Sequence, residues 1–95
     1  MGSNRREYCV FMNYDREYDR LQNNRTAIGS IELDLYLSRK HDEVLARNLE
    51  AGSYNKLASL AIVDAFIVEI TEEQANVLRS ADGVRVVEKN EVIIT

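Results

Sequence analysis

Few residues of this chain could carry chemistry, because its 95 residues include one histidine and one cysteine. No serine and aspartate arrangement accompanies His41, so we expect a structural imidazole, or a pH sensor whose charge changes near neutral pH, rather than a catalytic base. Cys9 lies in a β-prone run, which indicates a buried and inert thiol. A closed metal site needs about four ligands, so we predict neither a metal nor a cofactor.

Composition narrows the class of function. The net charge is −4 and the pI is about 5.0, which argues against general nucleic-acid binding through Lys and Arg. No apolar run is long enough to cross a membrane. Arginines alternate with tyrosines near the N-terminus, but Asp15, Glu17 and Asp19 cancel their charge. An RNA-binding or small-ligand-binding domain is therefore only a distant alternative.

Hydrophobic periodicity predicts the element order β-α-β-β-α-β. Apolar residues recur at helical spacing over 35–50, and strand alternation marks the later apolar runs. The clearest local signal is the capping box from Thr71 to Gln74, which starts a second helix. The predicted strands are 8–12, two within 57–70 that break near residue 63, and 84–88. This order is typical of an α+β, ferredoxin-like fold with a four-stranded antiparallel sheet and both helices on one face.

The domain boundaries follow from the same pattern. Residues 1–7 are predicted to be a tag remnant and a disordered N-terminus, and residues 8–95 a single domain. Within it, 13–32 is polar and aperiodic, which indicates a long flexible loop. The second face of the sheet has no cover from its own chain. Ala65, Ile67 and Glu69 alternate along the third strand and are expected to meet a partner on that face.

Several strings in this order carry a family resemblance: KHD at 40–42, GSYNKL at 52–57, AFIVEITEEQA at 65–75 and GVRVVE at 83–88. Together they resemble the propeptides of subtilisin-like serine proteases, most closely those of plant subtilases. The chain departs from the family pattern at two points. Ala65 stands where glycine often precedes the phenylalanine of the central hairpin. After the last strand, where relatives are acidic, Glu88 is followed by Asn90.

The resemblance implies an intramolecular chaperone and tight-binding inhibitor rather than an enzyme. Its partner would be the catalytic domain of a subtilisin-like serine protease, bound in cis or, as the alternative, in trans by a stand-alone inhibitor. The resemblance also implies a plant protein of the secretory pathway or the extracellular space. We expect a monomer when the chain is free.

The resemblance further implies roles for individual residues. Glu88 and Asn90 would cap the N-termini of two protease helices, which attract carboxylates. The C-terminal tail, 91–95, would enter the substrate cleft through Val92, Ile93, Ile94 and Thr95. Asn24 is the first residue of a possible glycosylation sequon.

Overall fold

The computed structural model describes residues 4–24 and 26–90. Its elements are β1 (Arg6–Met12), α1 (Arg16–Gln22), α2 (Ala27–Asn48), β2 (Asn55–Leu60), β3 (Ala65–Ile70), α3 (Glu72–Arg79) and β4 (Val84–Lys89). Among the helices in these ranges, none combines the length and the apolar character that crossing a bilayer requires.

The four strands form one open antiparallel sheet in the order β2-β3-β1-β4. This is the order of a ferredoxin-like fold, so the predicted fold class is confirmed. The predicted capping box is present: the Thr71 hydroxyl accepts from the Gln74 amide, and the Gln74 side chain accepts from the Thr71 amide.

The main core lies between one face of the sheet and the helices α2 and α3. Alternate residues of β1 and β3 point into it and meet apolar residues of both helices. Its most buried side chains are Val10, Leu45, Phe66, Val68, Ile70 and Leu78. A second, smaller cluster joins α1 to the N-terminal half of α2 through Leu21, Leu33 and Leu37.

The predicted loop over 13–32 is wrong, because this segment forms α1 and the first turns of α2. Asp15 caps α1 by accepting from the Glu17 amide. Thr26 caps α2 by accepting from the Gly29 amide at 2.9 Å. Gly29 fits because a Cβ there would lie 2.5 Å from the Asn24 carbonyl oxygen.

The predicted disorder of residues 1–7 also needs correction, since Arg6 and Glu7 belong to β1. Their backbones pair with the end of β3, where Arg6 lies opposite Ile70 and Glu7 opposite Glu69. Residues 1–3 lie outside the described ranges.

Two register shifts decide which side chains face the helices. One falls between Lys56 and Ala58 in β2, which turns Ser59 toward the helical layer, opposite Phe66. The other falls where Met12 pairs with Val84 and Phe11 with Val86, so that Arg85 is an extra residue in β4. Such bulges re-aim the side chains beside them.

Candidate functional site

The face of the sheet that the helices leave uncovered is called the open face here. It is built from the strand positions that alternate with the core positions. Its central members are Glu7, Cys9 and Phe11 of β1, Ala65, Ile67 and Glu69 of β3, and Val86 and Glu88 of β4.

One end of the open face is apolar. Phe11 and Val86 are half-buried there, and the half-buried Ile67 lies next to them, opposite Cys9 in the middle of the face. Ala65 also belongs to this face but is 0% exposed. It lies between its register partners Phe11 and Leu60, which both carry larger side chains. The prediction that Ala65 meets a partner is therefore corrected, and the contact through Ile67 stays a prediction.

The other end of the open face is acidic. Glu7 and Glu69 are register partners at this end, and Glu88 of β4 lies next to it, opposite Cys9 in the middle of the face. Glu69 is half-buried and accepts a hydrogen bond from the Asn55 amide at 3.0 Å. Glu88 is exposed, and its carboxylate has no hydrogen bond or ion pair to another described residue. Glu88 is thus accessible on the open face, and its predicted role as a cap of a protease helix stays a prediction.

Asn90 is held by β1, which the sequence did not indicate. Its backbone amide donates to the Glu7 carbonyl at 2.8 Å, and its side-chain amide donates to the Glu7 carboxylate at 3.1 Å. These bonds fix the chain beside the acidic end of the open face. The predicted tail residues Val92, Ile93, Ile94 and Thr95 lie outside the described residues.

Cys9 sits near the middle of the open face and is half-buried. Burial raises the pKa of its thiol, and the nearby Glu88 carboxylate raises it further. The thiolate is therefore disfavoured near neutral pH. The prediction of a fully buried thiol was too strong, but that of an unreactive one fits the raised pKa.

His41 lies on the opposite side of the sheet, in a buried polar network. Its Nδ1 is 2.8 Å from the Ser59 hydroxyl and its Nε2 is 2.9 Å from the Asp64 carboxylate. The expectation that no serine and aspartate accompany His41 was therefore wrong. Because a carboxylate only accepts, Nε2 carries the proton and Nδ1 of the neutral ring accepts from Ser59. The ring is 0% exposed and packs on Phe66, with ring centres 4.8 Å apart. A substrate atom cannot reach the fully buried imidazole, which argues against catalysis by His41 and for a structural role.

The network continues through Lys40 to helix α1. The Lys40 ammonium donates to Asp64 at 2.5 Å and to Asp15 at 2.8 Å. Tyr36 also donates to the Asp15 carboxylate. Burial opposes ionisation of Asp15, but the hydrogen bonds from Lys40 and Tyr36 outweigh it and lower its pKa. The pKa of Tyr36 is raised by burial and by this bond to Asp15.

This network joins three separate parts of the fold. Asp15 is the N-cap of α1, Lys40 and His41 belong to α2, and Asp64 lies in the turn before β3. Asp64 has a positive φ of 44°, a conformation that aspartate tolerates better than most residues. Tyr18 of α1 adds a hydrogen bond to the Ala61 carbonyl. The network therefore ties the N-terminal helices to the β2–β3 turn. Within the described ranges, His, Cys, Asp and Glu form no cluster of three that suits a metal ion.

Comparison with known proteins places part of the chain in a family context. It is 45% identical over 56 residues to the subtilisin-like protease SBT2.5 of Arabidopsis thaliana, a match that covers 58% of this chain and 7% of the relative. Subtilisin-like protease SBT2.6 of the same plant is 38% identical over 56 residues, again 58% of this chain and 7% of the relative. Subtilisin-like protease SBT2.4 is 43% identical over 51 residues, which are 53% of this chain and 6% of the relative.

No protein-family model matches the chain, and no solved structure matches it significantly. The homologues are thus plant subtilisin-like proteases over a partial stretch, and this stretch is consistent with the propeptide region of such a protease. The predicted resemblance is confirmed at that level.

Proposed function

Because its homologues are plant subtilisin-like proteases, we propose that this chain is the propeptide domain of a subtilisin-like serine protease, acting as intramolecular chaperone and tight-binding inhibitor. The alternative is a stand-alone inhibitor that acts in trans. In both cases the chain is not itself an enzyme, and its partner is a protease catalytic domain. The observation that carries the proposal is the open face, apolar at one end and acidic at the other, on a chain homologous to subtilases.

The open face supplies the docking energy in this proposal. Phe11, Ile67 and Val86 present partly exposed apolar surface, whose burial under a partner is favourable. Glu88 is exposed and free to accept from the backbone amides at a helix N-terminus, where the helix dipole also favours negative charge. Asn90 makes a weaker cap, because its side-chain oxygen can accept but carries no charge; its NH2 group donates to Glu7.

The tail supplies inhibition. Val92, Ile93, Ile94 and Thr95 would extend into the substrate cleft, pair with the enzyme backbone and place alternate side chains in its pockets. The docked domain keeps the tail at a high effective concentration, so the tail stays bound even after it is cut. This mechanism needs the domain and the tail in one chain.

Two further parts of the proposal concern location and release. The chain would act in the secretory pathway or outside the cell, where its protease matures. His41 would sense acidification, since a proton added to Nδ1 of the fully buried ring forces the Ser59 hydroxyl from donor to acceptor.

An RNA-binding or small-ligand-binding role has less support from the same face. Phosphates require positive charge, whereas the open face carries the carboxylates of Glu7, Glu69 and Glu88.

An inhibition assay tests the proposal. We expect the full chain to inhibit the mature catalytic domain of Arabidopsis SBT2.5. Removal of residues 92–95 should weaken this inhibition by orders of magnitude, while circular dichroism shows an unchanged fold. Mass spectrometry would report whether the tail is cut. Equal inhibition by the truncated chain would contradict the tail mechanism, and no inhibition of any subtilase by the full chain would contradict the proposed function.

A further inference from the structure

Arg85 occupies an unusual place on the open face. It is the extra residue of the bulge in β4, between Val84, which pairs with Met12, and Val86, which pairs with Phe11. Its guanidinium carbon lies 5.6 Å from the centre of the Phe11 ring. Since Phe11 belongs to the open face, the bulge has turned an exposed cation onto the apolar end of that face.

The contact with Phe11 orients Arg85 without using its hydrogen-bond donors. A guanidinium that stacks on an aromatic ring keeps its N–H groups directed outward around its rim. No described residue accepts a hydrogen bond from Arg85 or forms an ion pair with it. The side chain is thus held in position with its donors available to a partner.

The open face consequently carries positive charge at one end and negative charge at the other. Arg85 lies at the end that carries Phe11, and the carboxylates of Glu7 and Glu69 lie at the other end. Phe11 and Glu7 lie four positions apart in β1, which corresponds to roughly 14 Å along the strand. A helix of about nine residues spans the same length. Its N-terminus is positive and its C-terminus negative, so it complements this face in one direction only.

We infer that Arg85 is a specificity-determining residue of the docking surface, which binds the C-terminal carbonyls of a protease helix that lies along the strands with its N-terminus at the Glu7 end. The inference rests on the proposed function, because it takes the protease catalytic domain as the partner. It adds a second charged contact, opposite in sign to Glu88, at the end of the face that carries Phe11. A helix in the reverse direction would place its positive N-terminus beside Arg85 and its negative C-terminus beside Glu7 and Glu69.

Charge reversal at this position tests the inference. The R85E variant of the full chain should raise the inhibition constant against the catalytic domain of SBT2.5 at least tenfold, and R85Q should raise it less. R85K, which keeps the charge but loses the planar stacking, should fall between wild type and R85Q. The matched control is R47E, which makes the same charge change at an exposed position of α2, in the helical layer, and should change the constant less than twofold.

The salt dependence of inhibition distinguishes a direct contact by Arg85 from a purely structural role of this residue. Inhibition by wild type should weaken more steeply between 50 mM and 500 mM NaCl than inhibition by R85Q, because R85Q has lost one screened contact. Thermal melting of each variant would verify the fold, and R85Q decides the question if R85E does not fold.

The outcomes separate the two proposals. If wild type inhibits and R85E, R85Q and R47E all match it, the inference is overturned and the proposed function stands. If wild type inhibits no subtilase, the proposed function fails and the inference with it.

Discussion

The buried network around Asp64 predicts a large stability loss from a single-atom change. The D64N substitution replaces one carboxylate oxygen by an amide nitrogen and keeps the size of the side chain. Asparagine also tolerates the positive φ of 44° at this position, so backbone strain is not added. The variant therefore isolates the negative charge that Lys40 and His41 share.

The magnitude follows from the contacts. The Asp64 side chain is 6% exposed and the Lys40 side chain 18% exposed, so solvent replaces little of what is lost. The asparagine of the variant would still accept from His41, but its side-chain amide would face the Lys40 ammonium, donor against donor. Charge-assisted hydrogen bonds contribute about 1.5–3 kcal/mol, and Lys40 keeps its bond to Asp15. We expect the free energy of unfolding to fall by about 2–3 kcal/mol, or roughly 10–20 °C in Tm for a domain of this size.

Urea unfolding at pH 7, followed by far-UV circular dichroism, measures this loss. The matched control is D82N, the same substitution at an exposed residue of the turn before β4, which should change stability by less than about 0.5 kcal/mol. If D64N were as stable as D82N, the network would not hold the N-terminal helices to the sheet, and our account of the fold would be wrong at that point.

Two further predictions concern charge. E88A should weaken inhibition by about 1–3 kcal/mol, the range for losing a hydrogen bond to a charged group. The control E50A, at an exposed glutamate after α2, should leave the inhibition constant unchanged. Equal inhibition constants for the two variants would show that Glu88 is not in the interface. The pKa of Asp15 is lowered, because the bonds from Lys40 and Tyr36 outweigh its burial, so the folded chain holds fewer protons than the unfolded chain. The stabilisation is present above roughly pH 4 and is lost as pH falls through the folded pKa. D15N should therefore flatten the decline of unfolding free energy between about pH 5 and pH 2, and an unchanged slope in a urea titration series would contradict this.

The fold could be predicted because local signals and periodicity agreed for most elements. The capping box at Thr71 and the alternation in β3 are both present as expected. The part of α2 before residue 35 was missed although Leu33 continues the stripe of Leu37, His41 and Leu45. Its outer side also carries apolar residues, the exposed Ile28, Ile31 and Leu35, which hide the amphipathic pattern.

The contacts of the site depend on bulges, which sequence periodicity cannot locate. Without the shift after Lys56, Ser59 would face away from His41, because one residue of slip exchanges the two faces of a strand. The shift at Phe11 likewise determines where Arg85 points. Partners such as Asp15 and Asp64 lie 49 positions apart in the sequence, so only the tertiary structure brings both to Lys40. By contrast, Glu7 could have been found, since it alternates with Cys9 and Phe11 on the open face.

Cys9 offers a direct test of the central claim that the open face docks on a protease. It is the chain's sole cysteine and is half-buried on that face. Its raised pKa makes labelling slow, so the thiol would be alkylated with excess iodoacetamide at about pH 8. Mass spectrometry would follow the alkylation with and without the SBT2.5 catalytic domain. The nucleophilic serine of that domain would be replaced to prevent digestion of the chain. The C9S/S30C variant, which moves the thiol to an exposed position of α2, serves as the control. Our account predicts that the protease slows labelling of Cys9 at least tenfold and leaves the control rate unchanged. Undiminished labelling of Cys9 in a chain that still inhibits the protease would contradict it.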